Sequence, residues 1–150
     1  ATGFIQEIRK YDFVISWRMV ANVPLFRKLD AVRVSDLVSV LKAKNVPARY
    51  AIVRRGEHAD AMFFVLSGEL LVDIHPQPKR LGPGDYFGEI ALLKHGPRTA
   101  TVVSETECSL LVLNADDFER LLRDIPELSE QLHQVMATRL AELERASAST

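Results

Sequence analysis

Apolar residues follow three different rhythms along this 150-residue chain. In the opening run GFIQEIRKYDFVISWRMVANV, Phe4, Ile8, Tyr11, Ile15 and Met19 recur at helical spacing, while Phe13, Trp17 and Val20 form a second apolar face. Two apolar faces predict two packing partners, the domain itself and a neighbour or linker; alternatively both faces cover the open end of the domain. This helix is expected to end before Pro24, because proline disfavours helical geometry in the residue ahead of it. A second helix is predicted from Asp30, as N-cap, to about Lys42, with Val34, Leu37, Val38 and Leu41 turned inward.

From Val46 to Leu113 the rhythm shortens to β-rich runs divided by turn residues: YAIVRRGE, MFFVLSGE, LLVDIHPQP, RLGPGDYF, TATVVSETE and CSLLVL. Strands that return every ~8–12 residues must be joined by tight turns, which predicts an antiparallel sandwich or barrel. A jelly-roll-like β-roll is the expected form. Asn114 is then expected to cap a helix carrying Phe118, Leu121 and Leu122, and Pro126 to open a last helix through about Arg145. The tail ASAST is expected to fray. The fold class is therefore α+β in one domain: an N-terminal helical segment over 1–45, a β-roll over 46–113 and C-terminal helices over 114–146.

Composition acts mainly by exclusion. Lys and Arg number 19 against 20 Asp and Glu, for a formal charge of −1, so the basic footprint of a nucleic-acid binder is missing. The one cysteine, Cys108, cannot form an internal disulfide and sits in an apolar run, which predicts a buried thiol and a reducing compartment. No apolar stretch reaches the ~18 residues of a membrane span and no signal peptide opens the chain. The first residue is Ala1 and not Met, so the chain reads as a segment of something longer, and the lack of a span here says nothing about the parent.

The stretch FGEIALLKHGPRTATV, residues 87–102, interrupts the strands. GEIALL is too short and too helix-favouring for another strand, so one helical turn is predicted between Phe87 and Leu93. The start of such a turn presents unpaired backbone N–H groups that favour an anion. Arg98, arriving after Gly96 and Pro97 have bent the chain back, can add a guanidinium fork matched to a phosphate or carboxylate. Glu89 beside an anion site is repulsive unless it accepts a hydrogen bond, for example from a sugar hydroxyl. A phosphate and a ribose hydroxyl within one turn describe a nucleotide whose phosphate stays close to its sugar. Taken singly, Glu89 also reads as a helix N-terminal charge and Arg98 as a surface ion-pair partner. GPGDYFG is not a dinucleotide fingerprint, since its spacing is wrong and no strand-helix-strand unit surrounds it.

Position by position, this stretch resembles the phosphate-binding cassette of the cyclic-nucleotide-binding domain family, here over residues 87–99. GEHADAMFFVLSGEL and LGPGDYFGE look like the strands and turn that precede it, and the likeness runs from residue 25 to about 140. The resemblance implies that Arg98 pairs with the exocyclic oxygens of a cyclic phosphate and that Glu89 accepts from the ribose 2′-OH. It also implies that the backbone N–H groups of Ile90 and Ala91 close around the phosphate, with Val72, Phe87 and Gly88 lining the sugar and base. Thr99 stands where a hydroxyl reaches a phosphate oxygen and, for a syn purine, the guanine amino group. That leaves room for cGMP beside cAMP as ligand; no other cofactor is implied.

The leading segment QEIRKYDFVISWRMVANVPLFRKL resembles the approach to this domain in prokaryotic six-transmembrane potassium channels of the rhizobial type. The implied parent is an inner-membrane channel, a homotetramer in which four cytoplasmic domains of this kind serve one pore. In the last helix the apolar stripe Leu128, Leu132, Val135, Met136, Leu140 and Leu143 carries Arg139 on its edge. By the same resemblance Arg139 stacks on the purine; the plain alternative is a long side chain snorkelling to water. The implied activity is sensing without catalysis. A cupin-like metal enzyme would need converging His and carboxylate ligands, whereas His58, His75, His95 and His133 contain no His-x-His pair. A transcription regulator or kinase regulatory subunit shares the same ligand site and stays open as a reading.

Overall fold

The computed structural model describes residues 29–148. The helix expected over residues 4–20 lies outside them. Eight strands form two four-stranded antiparallel sheets. The first joins β1 (Lys42–Val46), β8 (Cys108–Asn114), β3 (Ala61–Ser67) and β6 (Tyr86–Phe87) in that order; the second joins β2 (Ala51–Val53), β7 (Val102–Ser104), β4 (Leu70–Val72) and β5 (Lys79–Leu81). Among the described residues four helices flank them: α1 (Ala31–Val40), α2 (Glu89–Lys94), α3 (Ala115–Asp124) and α4 (Pro126–Ala148). None of the described helices is long and apolar enough to cross a membrane.

The two apolar runs MFFVL and CSLLVL are nearly unbroken because the first sheet is buried on both faces. Phe63, Val65, Leu110 and Val112 point between the sheets, where they meet Val53, Leu70, Leu81, Phe87 and Val102. Met62, Phe64, Leu111 and Leu113 point the other way, onto Val34, Leu37 and Val38 of α1, Phe118 and Leu121 of α3, and Leu128 and Leu132 of α4. Register follows from this alternation, with Phe64 opposite Leu111 and Phe63 opposite Phe87. Cys108 is buried in the inter-sheet core, as its apolar run predicts.

Local signals place most of the boundaries. Asp30 caps α1, its carboxylate accepting from the Arg33 N–H at 2.8 Å. The helix stops at Val40, however, and Lys42 already belongs to β1, so the β-roll begins four residues before the expected 46. Only Val46 is buried in that edge strand, and KAKNV therefore lacks the alternation by which a strand announces itself. RLGPGDYF divides between the sheets: a turn at Gly82–Asp85, closed by the Gly82 N–H donating to the Asp85 carboxylate at 2.8 Å, carries the chain from β5 to β6. Asn114 does occupy the N-cap of α3, but its side chain makes no capping bond; the Ala115 N–H donates instead to the Asp60 carbonyl at 2.9 Å.

Pro126 opens α4 as the first helical residue, where its missing N–H costs nothing. Among the described side chains of the predicted α4 stripe, Leu128 and Leu132 are buried, and Val135, Met136 and Leu140 are half-buried. Val135 still packs against the main core, and beyond it the helix runs out along the mouth of a cavity in the roll.

Candidate functional site

The cavity opens between the second sheet and α2, with α4 at its edge. Its volume is about 80 Å³, and it opens to solvent at its mouth. All nine residues singled out from the sequence line it: Val72, Phe87, Gly88, Glu89, Ile90, Ala91, Arg98, Thr99 and Arg139.

Gly88 is the pivot of the cassette. It ends β6 and caps α2 with φ of 96°, a left-handed conformation that suits a residue without Cβ. A Cβ there would stand 2.8 Å from Nη1 of Arg98 and 3.2 Å from the Ala61 carbonyl oxygen. The glycine therefore sets both the turn into α2 and the space into which Arg98 packs.

Arg98 is reached through a second left-handed residue, His95, whose N–H closes α2 onto the Ala91 and Leu92 carbonyls. Its backbone is then fixed on both sides: the Arg98 N–H donates to Glu57 O at 2.8 Å, and Gly56 N–H donates to Arg98 O at 2.9 Å. The side chain is 5 % exposed, and its guanidinium donates to the carbonyls of Ala61 (2.7 Å) and Gly88 (3.3 Å). Its ion-pair partner, Asp60, is 3.8 Å away and 84 % exposed, so water screens much of that attraction. Burial accordingly lowers the guanidinium pKa, opposed by Asp60, Glu57 and Glu89. The side chain still carries its charge at neutral pH. This is a buried cation whose charge is poorly matched by the protein around it.

Glu89 is fully buried at the first position of α2. Its Oε1 accepts from Nη1 of Arg139 at 2.6 Å, while Oε2 is buried without a hydrogen-bond partner. Burial pushes the carboxyl above its ordinary 4.5, and the Arg139 charge opposes without cancelling it. Arg139 crosses from α4 to make this contact. It also donates to the Tyr86 carbonyl at 2.9 Å and lies over the Tyr86 ring, 4.7 Å from its centroid. The plain alternative, a side chain snorkelling to water, is not the arrangement seen: two acceptors inside the fold hold a guanidinium that is 22 % exposed. The neighbouring lining is apolar, with Val72, Leu81, Phe87 and Val102 around it.

Two charged lining residues escaped the sequence reading. Lys79 of β5 and Glu142 of α4 face each other across the mouth, Nζ to Oε2 at 3.3 Å. Glu142 was legible in principle, since it lies three residues from Arg139 and shares its helix face. Lys79 was not, because its place depends on the pairing of β5 with β4. The four histidines are all exposed, and among the described residues no group of three or more His, Cys, Asp and Glu side chains is placed to hold a metal ion.

A buried guanidinium and a buried carboxyl flanking one apolar cavity, on a helical turn set into a β-roll, is a specific arrangement. The family model described as cyclic nucleotide-binding domain matches residues 43–124. The chain belongs to the cyclic nucleotide-binding domain family. Among curated relatives of this domain, a cyclic nucleotide-gated potassium channel of Rhizobium etli is 44 % identical over 139 residues, covering 93 % of this chain and 39 % of the channel. A second channel of that description, from Mesorhizobium japonicum, is 48 % identical over 130 residues, covering 87 % of this chain and 36 % of the channel. The chain thus spans well under half the length of these relatives. Among solved structures, the regulatory domain of Toxoplasma gondii protein kinase A in co-crystals with cAMP superposes with a TM-score of 0.70 at 31 % identity, over 77 % of this chain and 46 % of that one.

Proposed function

We propose that this chain is the ligand-sensing domain of a cyclic-nucleotide-regulated potassium channel. It binds cAMP, and also cGMP, does no chemistry on the ligand, and transmits binding through movement of its C-terminal helices. The observation that carries the ligand assignment is the joint presence of an under-neutralised buried Arg98 and the orphaned Oε2 of Glu89 in one cavity. A cyclic phosphodiester brings one negative charge for the guanidinium fork, and its ribose 2′-OH brings the hydrogen that Oε2 lacks. The lining charges agree: Lys79, Arg98 and Arg139 oppose Glu89 and Glu142, an excess of one cation.

In this reading Arg139 braces Glu89 through Oε1 and leaves Oε2 for the sugar. The N–H groups of Ile90 and Ala91 close on the phosphate, Val72, Phe87 and Gly88 hold the sugar and base, and Thr99 reaches the phosphate or a guanine amino group. A ligand shifts a conformational equilibrium only by its differential affinity, so contacts that α4 completes over the bound nucleotide drive the movement. The reading places the chain on the cytoplasmic face of a tetrameric inner-membrane channel, and its identity over nearly its whole length to two proteins named as cyclic nucleotide-gated potassium channels supports attachment to a channel. The likeness to the kinase regulatory domain keeps a second reading, a regulatory module of a kinase or transcription regulator with the same ligand.

Calorimetric titration with cAMP, cGMP and 5′-AMP tests the ligand. Both cyclic nucleotides should bind at least about tenfold more tightly than the open nucleotide, a difference of ~1.4 kcal/mol. Equal affinity for 5′-AMP would contradict the assignment.

A further inference from the structure

Among the described side chains, the second half of α4 has no buried apolar anchor. Leu128 and Leu132 are buried, but among the described side chains beyond them none of α4 is. What ties that half to the roll is polar: Arg139 to Glu89 and Tyr86, and, three residues on, Glu142 to Lys79. The two ion pairs differ in kind. The inner one is enclosed, at 22 % and 0 % exposure, and draws on the carboxyl that a bound nucleotide also engages. The outer one sits in the mouth at 41 % and 37 % exposure and joins β5 to α4 directly.

We propose that Lys79 and Glu142 form a clasp that positions the outer half of α4 over the cavity and so governs how fast ligand leaves. This rests on the reading of the cavity as a cyclic-nucleotide site. The clasp bridges strand and helix by a direct ion pair, although both residues share the cavity lining with Glu89 and Arg98. Because the pair is partly solvated, its coupling is modest and weakens with salt. Lys79 and Glu142 are positioning residues here: they act by holding the helix that carries Arg139.

Charge reversal in the 150-residue chain tests this, with two readouts. One is hydrogen exchange of α4 amides from Arg139 onward in ligand-free protein; the other is the stopped-flow dissociation rate of cAMP. Lys79→Glu and Glu142→Lys alone should each speed both by about two- to fivefold, the range of an exposed ion pair. The double reversal should return both to within about twofold of the wild type, and about 0.5 M salt should speed wild-type exchange. The neutral pair Lys79→Met and Glu142→Gln guards against damage by an added like charge: their combination should be no worse than either alone. A double reversal as fast as the worse single variant, or single variants that change nothing, would overturn the clasp. If cAMP does not bind at all, the nucleotide reading fails, while the exchange measurement still decides whether the clasp exists.

Discussion

Gly88 and Arg98 are packed so closely that a single methyl on the glycine would intrude to 2.8 Å from the guanidinium. The site is thus built on the absence of a side chain at the one residue with left-handed geometry between β6 and α2. Gly88→Ala forces both a strained backbone and a shift of Arg98 or of the Ala61 carbonyl. A loss of about 1–3 kcal/mol in stability is expected, together with weaker cAMP binding. Urea denaturation and calorimetry check this; unchanged midpoint and affinity would show that the cassette tolerates a Cβ.

The Glu89 carboxyl sets a pH dependence whose sign follows from its burial. Its folded pKa is raised above the ordinary 4.5, so the folded state holds a proton that the unfolded state releases. The stabilising contribution is complete below about 4.5 and is lost as pH rises through the raised folded value. The stability of wild type minus that of Glu89→Gln should therefore fall between acid and neutral pH. Denaturant titrations of both proteins across that range measure it. A difference that grows with pH would mean that Arg139 holds the carboxyl below 4.5.

Arg139→Ala leaves both oxygens of a fully buried carboxyl without a partner. Breaking a buried pair from one side costs about 3–5 kcal/mol, and the partial exposure of Arg139 places this case at or below the lower end. Adding Glu89→Gln should recover part of the loss, because a neutral amide tolerates burial better than an unpaired carboxylate. Thermal unfolding of the two single variants and the double variant tests the coupling, and strictly additive losses would show that the pair is not one unit. On ligand, Arg139→Ala should act mainly by speeding dissociation.

The cassette was legible because its parts are close in sequence. Gly88, Glu89 and Arg98 lie within a single excursion from β6 to β7, so residue type and spacing alone bring a guanidinium and a carboxyl together. The cores were legible for a similar reason: Val34, Leu37, Val38 and Leu41 keep helical spacing, and all four are buried. What stayed hidden depends on distant pairing. β1 has one buried residue and takes its identity from β8, and Lys79 is a site residue only through its register in the second sheet. Arg139 stood out as a charge on an apolar stripe, yet its acceptors, Glu89 and Tyr86 O, are set by how α4 lies on the roll. Half of that stripe remains partly exposed because the helix outruns the core.

The most direct test of the account is the affinity of cAMP for wild type and Arg98→Ala, measured by titration calorimetry on protein confirmed as folded. Removing one member of a buried, hydrogen-bonded charge pair costs about 2–5 kcal/mol, so the dissociation constant should rise by tens- to thousands-fold. Equal affinity in the two proteins would contradict the assignment of Arg98 as the phosphate anchor and, with it, the proposed ligand site.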